Sequence, residues 1–87
     1  MSRHTIPSFD QRYEIVVGWD WPLRSYFAQV RDNEAADDEH PIRVWVGGSF
    51  DEVQAPEELR EPIAAYGTLT DNVIAILRAD RGEAMAT

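Results

Sequence analysis

Asp37, Asp38, Glu39 and His40 stand side by side in the stretch RDNEAADDEHP, Arg31 to Pro41, and offer three carboxylates and an imidazole, the donor types of a divalent-cation site. Contiguity argues against that use. Adjacent side chains diverge, whereas calcium or magnesium needs converging ligands such as the alternating positions of an EF-hand loop. Nucleophilic chemistry has as little support. Ser25 and Ser49 lie next to strand-like segments and His4 and His40 are the available bases, but neither serine sits in a nucleophile elbow. There is no cysteine and all eight basic residues are arginine, which removes thiol, Schiff-base and P-loop lysine chemistry. The sixteen acids could supply a carboxylate pair, but such a pair needs a cleft that drives its two pKa values apart, and 87 residues leave little room for one. The chain is expected not to be an enzyme, and to hold neither cofactor nor metal.

The charge is unevenly placed. Asp32 to Glu61 holds ten acids against two arginines and carries the whole net charge of −8, while the remainder balances six against six. An anionic region repels nucleic acid and anionic lipid and attracts a basic protein surface. The acids expected to meet such a partner are Glu34, Asp37, Asp38 and Glu39 in one loop, Asp51 and Glu52 ahead of a helix, and Glu57, Glu58 and Glu61 along one helical edge. A small domain that displays carboxylates in this way can occupy a groove built to grip phosphates. The alternative is that they only solvate the surface.

Positioning these groups requires a scaffold, and the apolar periodicity suggests one. Residues 1–11 are polar, contain Pro7 and read as a flexible arm. Tyr13, Ile15, Val17 and Trp19 alternate with Glu14, Val16 and Gly18 as in a half-buried strand. Trp21-Pro22 interrupts the pattern, and Tyr26, Ala28 and Val30 then form the inward set of a second strand, with Phe27 opposite. Ile42, Val44 and Val46 alternate with Arg43 and Trp45 in a third strand ending at Gly47-Gly48.

From Pro56 the period changes. Glu57 and Glu58 suit a first helical turn, Leu59, Ile63 and Tyr66 make a stripe, and Gly67 is a stop. Pro62 predicts a kink or two short turns near Glu61. A second helix is expected from a Thr70 or Asp71 cap to Gly82, with Val73, Ile76, Leu77 and Asp80 on one side and residues 83–87 frayed. The expected architecture is α+β: a three-stranded antiparallel β-meander followed by two helices packed on one face, in one domain over residues 1–87.

Three tryptophans invite a separate weighing. A stacking platform for single-stranded nucleic acid pairs aromatics with a basic groove, which this chain lacks. Trp19 shares the phase of Ile15 and Val17 and is a core residue. Trp45 is core only if helices cover its face. Trp21, in the loop before Pro22, is the candidate exposed anchor, alone or with Phe27 in an apolar patch that would make the chain a small interaction or regulatory module.

The stretch EIVVGWDWPLRSYFAQV, with HTIPS before it and VWVGGS after it, resembles a family of small uncharacterised proteins encoded on plasmids, integrative elements and phages of proteobacteria. Such elements carry small acidic inhibitors of host defence, and by size, acidity and this similarity the chain looks like an anti-CRISPR protein of the DNA-mimic type. The resemblance implies a monomeric inhibitor acting on a basic nucleic-acid-binding protein, such as a CRISPR effector subunit, and carries over no functional residue. With no signal-like segment and no apolar run of about 20 residues, a bacterial cytoplasmic location is expected.

Overall fold

A computed structural model describes residues 2–86. Its centre is a four-stranded antiparallel sheet in the order β1-β2-β3-β4, formed by His4–Ile6, Tyr13–Asp20, Ser25–Asp32 and Ile42–Val46. The expected meander is therefore present with one strand more. Within the region read as a flexible arm, His4, Thr5 and Ile6 pair with Val17, Val16 and Ile15. Three residues followed by a proline are too few to show a period of two, so only the neighbouring strand reveals them. Met1 lies outside the described residues.

Alternation sorts the sheet as expected. Ile15, Val17 and Trp19 of β2 and Tyr26, Ala28 and Val30 of β3 are buried together on one face, with Val44 and Val46 of β4 packed against them. That face is closed by Leu59, Ile63, Leu69, Ile74 and Leu77, which makes one continuous core. The helical segment splits as the proline requires: Pro56–Leu59 is a 3-10 turn and Arg60–Ile63 a single α-helical turn, α1.

The last helix, α2, spans Asp71–Ala86. Thr70 caps it, its hydroxyl accepting the Val73 N–H at 3.3 Å. Two differences from the expected helix stand out. It continues past the stop expected at Gly82 to Ala86, and Thr87 lies outside the described residues. The buried stripe also uses Ile74 rather than Ile76, which is 39% exposed. Ile74 and Ile76 both lie within reach of a stripe through Val73 and Leu77, and only docking on the sheet selects one.

Among the described residues no helix covers the opposite face of the sheet. Phe27 is nevertheless buried, stacked under Trp45 with ring centroids 6.5 Å apart, and Trp45 itself is 56% exposed. The chain near Ser2 crosses this face, and its N–H donates to the Trp19 carbonyl at 2.9 Å. Gly18 permits that approach, because a Cβ there would collide with the Ser2 carbonyl and the Phe27 ring. Among the described residues no helix is long and apolar enough to cross a membrane.

Candidate functional site

Asp32 ends β3 on the core side, opposite Tyr13, and is buried. It does not belong to the exposed acidic surface in which its sequence neighbours place it. Arg12 grips its carboxylate with two parallel bonds, Nε at 2.7 Å and Nη2 at 2.8 Å, and the Arg43 Nη2 donates at 2.9 Å. The Arg43 Nε also donates at 3.3 Å, and the Glu34 N–H adds a fifth donor at 2.9 Å. The Arg12 bonds, assisted by those from Arg43 and the Glu34 N–H, hold the carboxyl far below the usual range against the opposing effect of desolvation. The guanidinium groups of Arg12 and Arg43 are raised in turn by their bonds to Asp32.

This buried centre anchors the acidic loop that follows it. The Asp32 N–H donates to the Pro41 carbonyl at 2.7 Å and the Asn33 N–H to the Arg12 carbonyl at 2.8 Å, closing the loop at its base. On its far side Glu39 accepts from Arg43 at 3.1 Å, and the exposed His40 Nδ1 accepts the Ile42 N–H at 3.2 Å. Glu34, Asp37 and Asp38 are exposed and make no side-chain bond among the described residues. Among those residues no three histidine, aspartate or glutamate side chains come together to hold a metal ion.

The other expected acids lie elsewhere. Asp51 and Glu52 follow β4 at the opposite end of the sheet, where the Asp51 N–H donates to the Leu23 carbonyl in the β2–β3 turn at 2.9 Å. The eight residues of β3 separate the two ends, roughly 23 Å at strand rise. Glu52 accepts the Gly47 N–H at 2.8 Å. The row expected from Glu57, Glu58 and Glu61 is not continuous, since a 3-10 turn does not stack these positions as an α-helix would. Glu57 pairs with Arg78 of α2, while Glu58 folds back on the Ala55 N–H at 3.0 Å. Glu61 is exposed on α1, which packs against β4.

β4 is an edge strand, so the acids border one edge: the loop before its start, Asp51 and Glu52 after its end, and Glu61 on the helical turn beside it. Ser25, one of the serines weighed as a nucleophile, is fully buried; its hydroxyl donates to the Tyr26 carbonyl at 2.8 Å and accepts the Val53 N–H at 2.9 Å. It staples the segment after β4 to β3.

Trp21 and Asp51 come together where sequence separation gave no hint of it. They line a cavity of about 340 Å³ with Trp19, Arg24, Gln54 and Arg81. Arg24 and Arg81 were not among the expected site residues, because a lone arginine in a turn or a last helical turn reads as a solvated charge. No protein-family model matches the chain, and no curated protein or solved structure matches it either.

Proposed function

We propose that the protein is a non-enzymatic inhibitor that docks its acidic β4 edge on a basic, phosphate-gripping surface of a nucleic-acid-binding protein, as a DNA-mimicking anti-CRISPR protein would on a CRISPR effector subunit. The observation that carries this reading is that Glu34, Asp37 and Asp38 make no side-chain bond among the described residues, although they stand on a loop braced by the ion pairs of the buried Asp32 with the part-exposed Arg12 and Arg43. A merely solvating loop needs no such brace. A braced loop presents its charges with little ordering entropy left to lose on binding. The effective surface is narrower than the thirty-residue acidic region, since Asp32, Glu39, Glu52, Glu57 and Glu58 are used internally.

The test is a pull-down of a CRISPR effector complex at low and high salt, with DNA as competitor. Binding that falls with salt, is displaced by DNA and is lost on Asp37→Arg with Asp38→Arg supports the proposal; binding indifferent to that charge reversal overturns it. A second reading, an interaction module that docks through aromatic residues, draws on the uncovered sheet face. Its anchor there is the exposed Trp45 rather than the buried Phe27. Salt-indifferent binding lost in Trp45→Ala would favour it.

A further inference from the structure

The turn between β2 and β3 closes with the Arg24 N–H donating to the Trp21 carbonyl at 3.1 Å, and Arg24 takes φ of 51°. A three- or four-residue hairpin loop commonly ends in a left-handed residue, and glycine or asparagine fits there with little strain. An arginine is held there against its backbone preference. Asp51, at φ of 56°, is the other described non-glycine residue with positive φ, and both line the cavity of about 340 Å³. Left-handed residues of this kind persist where the surrounding structure holds them, and they cluster at ligand clamps.

The cavity is also opposite in sign to the chain as a whole. Arg12, Arg43, Arg60 and Arg78 each have a carboxylate partner. Arg24 and Arg81 have none among the described residues, and neither do Arg3 and Arg31, but only Arg24 and Arg81 line this cavity. Arg81 lies 4.9 Å over the Trp19 ring and donates to the Gln54 carbonyl at 2.7 Å and Oε1 at 3.3 Å; Arg24 lies 5.9 Å over the ring of Trp21. Asp51 is the single acid in the lining, so the walls carry one net positive charge. Trp19, 2% exposed, lines the cavity, and its indole Nε1 is the one buried side-chain polar atom without a partner among the described residues. Trp21 keeps 44% of its surface open.

We propose that this cavity binds a small organic anion bearing a flat ring, a carboxylate or a phosphate, with the acidic group held by the guanidinium forks of Arg24 and Arg81 and the ring laid on Trp21. Guanidinium forks match both anions, an exposed indole supplies the stacking face, and the volume suits a ligand of this size. The site is independent of the acidic loop, which lies at the other end of β3.

The test is a titration followed by the indole N–H resonances of the three tryptophans, with indole-3-acetate and phenyl phosphate as probes and the uncharged indole-3-ethanol as control. Either anion is expected to shift the Trp19 and Trp21 resonances saturably and leave Trp45 in place, and the tighter of the two identifies the acid. Arg24→Gly is expected to weaken binding about tenfold or more while the melting temperature holds or rises, since it removes the guanidinium and relieves the backbone. Arg81→Gln checks the second fork and is expected to weaken binding similarly. No saturable shift up to about 10 mM of either anion, equal binding of the alcohol, or undiminished affinity in Arg24→Gly would overturn the proposal.

Discussion

His4 Nε2 and Asp80 Oδ2 meet at 2.6 Å and join β1 to α2 across 76 positions of the chain. Each partner sits on a segment whose role sequence patterning understates, since β1 looks like an arm and Asp80 like a residue of an exposed last turn. His4→Ala is expected to free the edge strand while leaving β2 to β4 paired. Hydrogen exchange checks this: the β1 amides bonded to β2 should exchange about tenfold faster, with β3 amides unchanged.

The Asp32 carboxyl ties stability to acid. Its pKa is lowered on folding, so its stabilising contribution is present in full well above the unfolded value of 3.8 and is lost as pH falls from there through the lowered folded value. Asn in its place leaves Arg12 and Arg43 facing an uncharged amide. Asp32→Asn is expected to melt about 10 °C or more below the parent at pH 7, with the difference shrinking toward pH 2, in melts followed by circular dichroism.

Phase along α2 decides which of its neighbouring apolar side chains matters. Leu77 is fully buried and Ile76 39% exposed. Leu77→Ala should cost about 2–4 kcal/mol in urea unfolding, and Ile76→Ala no more than about 0.5 kcal/mol.

Gly18 allows the chain near Ser2 to lie across the uncovered sheet face. Gly18→Ala forces either that segment or the Phe27 ring away and should destabilise by about 1–3 kcal/mol. Denaturant unfolding gives the cost, and enhanced proteolysis at the first residues would show which neighbour moved.

The loop acids are predicted to matter for binding and little for folding. Asp37→Arg with Asp38→Arg removes no side-chain bond among the described residues, so stability should stay within about 0.5 kcal/mol of the parent. A larger loss in urea unfolding would show that these carboxylates serve the fold.

Where the apolar signal is local and repeated, periodicity along the chain was enough to set the outcome. The inward faces of β2, β3 and β4 follow from strict alternation, and the break at Trp21-Pro22 and an interruption near Pro62 from the missing proline donor; the structure chose the split over a kink there and Thr70 over Asp71 as the cap. The α+β class and antiparallel pairing follow from the same pattern. The position and sign of the charge excess were equally legible.

Only the tertiary structure decided matters that depend on distant residues. β1 exists because β2 offers it an edge, and Ile74 is chosen over Ile76 because of how α2 meets the sheet. Asp32 reads as one acid among five in its stretch until Arg12 and Arg43 close on it. Trp21, Arg24, Asp51 and Arg81 become neighbours because the β2–β3 turn, the segment after β4 and the last helix converge at one end of the sheet. Spacing along a chain records local periodicity, whereas a pairing across twenty to sixty positions leaves no pattern in it. That is why the acidic loop was visible as a candidate site and the arginine-lined cavity was not.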